Sequence, residues 1–264
     1  RVVIGAEHPD DDVRGSFAEA LHEAGLEVSV ADHAGSADLF TPYVSRVSRG
    51  RPFVTMRLAV SSDGMIGRRD GEPVAIMGER AARWAAMQRV LSDGVMIGAH
   101  TAALDDPKLD AGLDGFDDRP FARIVMVGKR PLPERLNITG WISGHPTWLI
   151  TTGEQAIEAP SFVDVLDVPG RKGRPDIRKT LGLVAGRGVG ALLVEGGAAL
   201  TEALVASELV DRFFLIDCAR SVGRAGLPAT PLGGLEGRLR AVGLAETSRE
   251  SLGDDVLRVF EPAL

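Results

Sequence analysis

Three segments of this chain share one pattern, an apolar run that stops at glycine or at a small-residue turn. They are RPFVTMRLAVSSDG (Arg51 to Gly64), GVMIGAHTAALDDP (Gly94 to Pro107) and ALLVEGGAALTEAL (Ala191 to Leu204). Short apolar runs rich in β-branched residues read as strands buried in a sheet. The glycines that follow let the backbone turn and approach a ligand closely. Three such ends predict a crevice at the carboxyl ends of several strands, where open α/β sheets bind nucleotides. The first run delivers one charge, Arg57, to the rim of the sheet.

The rest of the chain alternates strand and helix. Residues 1–50 read as a β-α-β piece, too small to stand alone, followed by a connecting helix over ADLFTPYVSRVSRGR. In that piece RGSFAEALHEAG is a helix with Phe17, Ala20 and Leu21 on its apolar side, acidic N-cap candidates before it and Gly25 as its stop. From Phe53 onward, GERAARWAAMQRVLSDG is a helix with Trp84, Met87 and Leu91 spaced to face a core. ARIVMVG and PTWLITTG are strands, IRKTLGLVAG is a helix stopped by the glycines at 186–190, and DRFFLIDCA is a strand. The tail from Leu239 reads as two antiparallel strands. The expected fold is α/β, a mixed and mostly parallel sheet with helices on both faces, plus the small N-terminal β-α-β unit. The expected division is 1–50 and 51–264.

Composition narrows the function classes. The 264 residues carry a formal charge of −7 and are 44% hydrophobic and 25% charged. An acidic balance argues against nucleic acid or an anionic membrane as partner, and no apolar run reaches the roughly 18 residues of a membrane span. A small anionic ligand held by local arginines and backbone N–H groups stays open. Cys218 is the single cysteine and reads as a small core residue. With no disulfide framework or cysteine-based zinc site available, a reducing cytoplasm is the expected setting and no metal is expected. The chain opens without methionine, directly in a strand-like run, and reads as a piece of a longer protein.

Several positions carry candidate chemistry. Glu195 ends an apolar strand just before Gly196 and Gly197, and a carboxylate there is costly unless it faces a crevice and accepts hydrogen bonds. The Gly-Gly pair and the helix after it offer N–H groups to a pyrophosphate, although GGAAL is not the usual dinucleotide fingerprint. Thr101 sits where a helix begins, and His100 beside it reads as solvated. Asp105 and Asp106 read either as acceptors for ribose hydroxyls or as an acidic helix end held by Pro107. Lys129 and Arg130 after Gly128 read either as a clamp for a 2′-phosphate or as a solvated turn. The basic cluster Arg171, Lys172 and Arg174 reads as a solvated loop. No hydrolase triad or phosphate-binding Walker loop is visible.

Taken together, RPFVTMRLAVSSDGMIG, GAHTAALDDPKL and LLVEGGAALTEALVASELVD resemble three motifs, in order, of the reductase domain of the bacterial bifunctional riboflavin-biosynthesis deaminase/reductase. The resemblance runs from about Arg51 to the C-terminus, and residues 1–50 resemble the end of the companion deaminase domain. It implies a dihydrofolate-reductase-like fold and NADPH-dependent reduction of the ribosyl group of 5-amino-6-(5-phosphoribosylamino)uracil to ribityl. It also implies a homodimer. By motif, Ala59, Ala75, Thr101, Asp105, Gly128 and Gly196, Gly197, Ala198, Ala199 and Leu200 would line NADPH. Arg89, Leu109 and Glu195 would meet substrate, and Arg57, Asp105 and Glu195 would be catalytic. The chain departs from the family pattern at several points. Arg57 stands for a lysine, Pro73 and Ala75 replace Ser and Trp, and Asp110-Ala111-Gly112 lacks an arginine that would hold the substrate phosphate. The strand ARIVMVG also lacks an aspartate near its end. These departures leave two alternatives, a related reductase of a pterin or another heterocycle, or a catalytically silent NADP-binding domain.

Overall fold

The computed structural model describes residues 1–263 apart from 73, 117, 130, 155 and 230–233. Pro73 and Arg130, singled out above, therefore lie outside the described residues.

The N-terminal unit is β1 (Val2–Ile4), α1 (Ser16–Glu23) and β2 (Val28–Val30), with the two strands parallel. Helix α1 ends as the sequence suggests: Gly25 is left-handed at φ 78° and donates to the His22 carbonyl, and Leu26 donates to the Leu21 carbonyl. Its start differs, because Gly15 rather than an acidic side chain occupies the N-cap. Phe17 is 70% exposed rather than packed, since this small unit offers α1 no second layer and no residue from 1 to 30 is fully buried. The connecting segment is two helices, α2 (Ala34–Asp38) and α3 (Thr41–Arg49), not one.

The body begins with β3 (Phe53–Val60), β4 (Met65–Arg68), α4 (Glu79–Val90), β5 (Gly94–Gly98) and α5 (Ala99–Asp105). It continues through β6 (Ala122–Met126), β7 (Thr147–Thr151), β8 (Val163–Asp167), the short hairpin β9 (Gly170–Arg171) and β10 (Arg174–Pro175), and α6 (Ile177–Gly186). Then come β11 (Ala191–Glu195), α7 (Ala198–Ala206), β12 (Arg212–Asp217), β13 (Gly226–Pro228), α8 (Leu235–Ala241), β14 (Leu244–Leu252) and β15 (Asp255–Pro262). Nine strands form one sheet in the order β14-β15-β12-β3-β11-β5-β6-β7-β8. From β12 to β8 all neighbours are parallel, and β15 and β14 close the β12 side as an antiparallel hairpin.

Period-two alternation distributes the strand residues to two apolar layers. Met56, Met96, Ile124, Val194 and Phe213 face α6, α7 and α8 through Leu181, Val184, Leu204 and Leu239. Val95, Ile97, Val125, Leu149 and Leu193 face the other side with Val90 of α4 and Ala102 of α5. Phe214, Ile216 and Leu257 extend that second side against Ala81, with Trp84 edge-on to Phe214 at 4.9 Å. The sheet is thus covered on both faces and matches the expected mixed, mostly parallel α/β class. Leu91 of the anticipated α4 stripe is instead 63% exposed, because α4 ends at Val90 and Leu91 caps it. The α4 face is built from Ala81, Ala85 and Val90.

One carboxylate ties the connecting helices to the body. Asp211, buried just before β12, accepts from Arg49 Nη1 at 2.8 Å, from Arg51 Nη2 at 2.7 Å and from the Val54 backbone N–H at 2.8 Å. Replacing Asp211 with asparagine removes the charge that compensates two guanidinium groups. We expect Asp211→Asn to lower unfolding stability by about 2–4 kcal/mol in urea titration at pH 7. A loss within experimental error would show that Asp211 does not anchor this junction.

Candidate functional site

Strand β11 lies between β3 and β5, parallel to both, so the three glycine-terminated ends share one edge of the sheet. The helix after β5 packs on one face and the helix after β11 on the other, as Ala102 and Leu204 show by joining opposite apolar layers. Neighbouring parallel strands whose helices leave to opposite faces form a topological switch point, the place where such sheets open a crevice for ligands. Here a side chain at Gly197 would come within 3.5 Å of Thr101 Oγ1, so the starts of α5 and α7 meet across the edge. Gly197 is the N-cap of α7, and the first N–H groups of a helix have no acceptor within it. Gly196 sits in a crowded spot: a Cβ there would lie 2.6 Å from Cε, the tip of the fully buried Met56 side chain, which would have to shift.

The charged centre of the edge is Glu195, the last residue of β11, which pairs in register with Arg57 of β3. Arg57 therefore stands well inside its own strand yet beside the end of the next. Its Nη2 lies 3.1 Å from Glu195 Oε2. Arg89, in the last turn of α4, forms a two-pronged pair with the same carboxylate, Nε to Oε1 at 2.8 Å and Nη2 to Oε2 at 2.7 Å. All three side chains are largely buried, at 8% exposed for Glu195, 11% for Arg57 and 22% for Arg89. Burial pushes the Glu195 carboxyl up, but the Arg57 and Arg89 charges and their hydrogen bonds outweigh it and hold it down at about 2. Glu195 is thus a fixed anion at neutral pH.

The fates of the other predicted residues differ. Ala59 lies on the Arg57 side of β3 and packs partly against Phe214 and its neighbours. Gly128 follows β6, and a Cβ there would meet nothing within 4 Å. Ala198, Ala199 and Leu200 form the first turn of α7. Thr101, Gly128 and Gly196 through Leu200 thus gather on the β6–β5–β11 edge. Ala75 lies in an exposed segment before α4, its carbonyl accepting from Arg220 Nη1 at 2.9 Å. Asp105 closes α5 with its side chain exposed; desolvation by the surrounding protein raises its carboxyl, against the pull of His100. Asp106 is engaged structurally, accepting from the Asn137 backbone N–H at 2.6 Å and from Asn137 Nδ2 at 2.8 Å.

Two residues expected on the substrate side are tied into the protein around them. The Leu109 side chain is 2% exposed and belongs to the apolar layer under α5. Its backbone is left-handed at φ 52°. Arg89 directs its donors to Glu195 and, through Nη1 at 3.2 Å, to the Asp110 carbonyl. Cys218 is buried as expected, and burial, then the nearby Asp255 charge, pushes its thiol up to about 12.

Sequence reasoning passed over Arg123. It is 1% exposed on β6 and donates to the carbonyls of Lys108 at 3.0 Å and Gly140 at 2.8 Å. A lone charge inside the run ARIVMV was the available signal, since a buried guanidinium must find acceptors. A hollow of about 190 Å³ lies elsewhere, where Glu7 and Phe40 meet Arg49 and Phe53. It is smaller than usual ligand pockets of roughly 300–1,000 Å³, and the paired charges and free helix N–H groups lie at the strand ends instead.

The profile of the RibD C-terminal domain matches residues 52–257. The chain is 29% identical over 265 residues to riboflavin biosynthesis protein RibD of Actinobacillus pleuropneumoniae, covering 97% of this chain and 69% of that one. It is 26% identical to the chloroplastic riboflavin biosynthesis protein PYRR of Zea mays, with 97% of this chain and 43% of that protein aligned. Among solved structures, a Thermotoga maritima diaminohydroxyphosphoribosylaminopyrimidine deaminase/5-amino-6-(5-phosphoribosylamino)uracil reductase superposes with a TM-score of 0.78 at 21% identity, covering 99% of this chain and 71% of that one. RibD of Acinetobacter baumannii gives 0.78 at 20% identity, covering 100% and 73%. At these identities the structures speak for the fold.

Two outcomes follow from this geometry. Gly196→Ala forces the enclosed Met56 side chain to move and is expected to cost about 1–3 kcal/mol, whereas Gly197→Ala makes ordinary contact and melts near the wild type; equal melting temperatures for the two would contradict the crowding. Ionised Glu195 contributes stability that is fully present above the ordinary value of 4.5 and is lost as pH falls through about 2. The stability gap between wild type and Glu195→Gln should therefore be wide at pH 7 and narrower at pH 3 in urea titrations. A gap of constant size would mean that the carboxylate is not held by its two arginines.

Proposed function

The chain belongs to the RibD C-terminal domain family, and on that premise we propose that it is an NADPH-dependent reductase of riboflavin biosynthesis. Its substrate in this reading is 5-amino-6-(5-phosphoribosylamino)uracil, whose ribosyl group becomes ribityl. The observation that carries the reading is the family match across 52–257 laid over a sheet edge where β3, β11 and β5 end together. The same reading takes residues 1–50 as the end of a deaminase-like domain, residues 51–264 as the reductase domain, and a homodimer as the assembly.

The residues at this edge fit a dinucleotide. Open helix N–H groups after Gly197 suit a pyrophosphate, and the absence of side chains at Gly128, Gly196 and Gly197 lets backbone lie close to it. In this assignment Ala59, Ala75, Thr101, Asp105, Gly128 and Gly196 through Leu200 hold NADPH. When bound, it supplies the hydride, directed to C1′ of the opened sugar. The protein's part is to position and polarise. Arg57 offers N–H donors to an oxygen of the substrate, Glu195 fixes Arg57 in place, and Asp105, whose carboxyl is raised by desolvation, is the third group assigned to the catalytic set.

A second reading is favoured by one corner. Gly112 carries no side chain, and the Asp110 carboxylate oxygen lies 3.8 Å from where one would begin. A carboxylate there repels a phosphate, which suits a pterin or another phosphate-free heterocycle.

Mixing the protein with NADPH and the ribosylaminouracil phosphate should consume reduced nicotinamide absorbance, with NADH much less effective. Loss of turnover on removing the phosphate supports the first reading, and turnover indifferent to it supports the second. Tight NADPH binding without turnover on either substrate would reject both and leave a silent NADP-binding domain.

A further inference from the structure

The short hairpin that follows β8 carries Arg171, Lys172 and Arg174 and no carboxylate between Gly170 and Pro175. Strands β9 and β10 are joined by Lys172 and Gly173, at φ 54° and 64°. Two positive-φ residues in a two-residue loop make the tight turn that follows the natural twist of the strands. The strands lie close, since a Cβ on Gly170 would collide with the Arg174 carbonyl. Arg171 and Arg174 stand directly opposite each other in register, and like charges so placed repel. Lys172 occupies a left-handed position that asparagine, aspartate or glycine fills with less strain. All three cations are exposed, and none of them forms an ion pair among the described residues. The turn therefore holds positive charge at a local cost that its own fold does not recover.

The hairpin is fixed at the carboxyl ends of the strands. Val168, just before it, donates its N–H to the Thr151 carbonyl at the end of β7, at 2.7 Å. Pro175 closes it as a buried residue. A Cβ on Gly173 would lie 2.8 Å from Cγ of Lys129, so the Lys129 stem runs beside the turn. Glu154 Oε2 is 3.5 Å from the same point, and the three cations of the turn outnumber that carboxylate. Lys129 follows Gly128, where β6 ends and a side chain would meet open space. Chain order separates residues 128–129 from 170–175, and the fold brings them together. Strand β6 lies two strands, about 10 Å, from β11. A dinucleotide whose pyrophosphate sits at the start of α7 and whose adenosine side runs over β5 thus ends beside Gly128 and the turn.

We propose that the β9–β10 turn is a site for a phosphate monoester: Arg171, Lys172 and Arg174, beside Lys129, take the 2′-phosphate of NADPH and set its preference over NADH. The inference deepens the reductase reading and rests on its placement of the cofactor. A phosphate monoester carries close to two negative charges at pH 7, and guanidinium and ammonium donors suit its oxygens. NADH offers only hydroxyls there and gains nothing from the turn.

The test is calorimetric titration of the full chain with NADPH, NADH and adenosine 2′,5′-bisphosphate, a probe that carries the 2′-phosphate without nicotinamide. The variants are Arg171→Gln, Arg174→Gln and Lys172→Asn. The last puts asparagine where a left-handed turn favours it, so the hairpin keeps its shape while losing a charge. Melting temperatures at the wild-type value show that the variants fold. Wild type should bind NADPH at least about tenfold tighter than NADH, and that preference should shrink as salt rises. Each variant should weaken NADPH and the bisphosphate about 3- to 10-fold and leave NADH unchanged.

Variants that keep the wild-type preference, or that weaken NADPH and NADH alike, overturn the proposal even if the chain is an active reductase. A bisphosphate affinity that falls with the charges of the turn, in a chain that consumes no NADPH with any substrate, upholds the phosphate site and removes the reductase reading alone. A wild type that binds neither NADPH nor the bisphosphate overturns both.

Discussion

A carboxylate removed from water must be compensated, and Glu195 meets that condition with two guanidinium groups drawn from different elements. The arrangement dictates much around it. Arg57 has to come from the strand beside β11, which fixes β3 as a neighbour in a register that places Arg57 opposite Glu195. Arg89 has to come from the covering helix, which fixes the rotation and end of α4. The polar centre lies on the α4 side of the sheet, between the apolar layer around Val95 and Ile97 and that around Phe214 and Ile216.

The glycines after Glu195 belong to the same constraint. With the carboxylate turned to one face, the next residue turns to the other and arrives over Met56. A side chain there would displace a core residue, so the backbone itself is presented at the edge, and the helix after it begins with open N–H groups. One strand end therefore presents an anion held by arginines on one face and a free helix start on the other. That pairing suits a ligand with a phosphate-rich half and a heterocyclic half.

Elsewhere, single carboxylates do the joining. Asp211 links the N-terminal helices to β3 and β12. Asp255 accepts the N–H groups of Gly78 and Ala219, tying the start of α4 to the end of β12. Asp63 collects N–H groups of Val222 and Gly223 across from Ser61. Each stabilises a connection between elements rather than offering a free carboxylate. Arg123 plays the complementary part from the basic side, by gathering carbonyls.

The strands of the body were legible because buried parallel strands are written as short apolar runs punctuated by glycine, and GVMIG, ARIVM and ALLVE carry that signal locally. So were the stop at Gly25, the buried Cys218 and the importance of Glu195, which stands where an unpaired charge is too costly to be accidental. Strand β8 was missed because Val163–Asp167 is a mostly exposed edge strand whose apolar residues are broken up by Asp164 and Asp167. Phe17 and Leu91 were misplaced because periodicity gives a helix its apolar side but not what lies opposite. Chain order also could not reveal that β11 inserts between β3 and β5, or that Arg57, Arg89 and Glu195 meet. The sequence by itself determined which segments become buried strands and which turns stay free of side chains, since those are local consequences of apolar runs and glycine. Only the tertiary structure decided which charges share an acceptor, because pairing depends on distances between elements far apart in the chain.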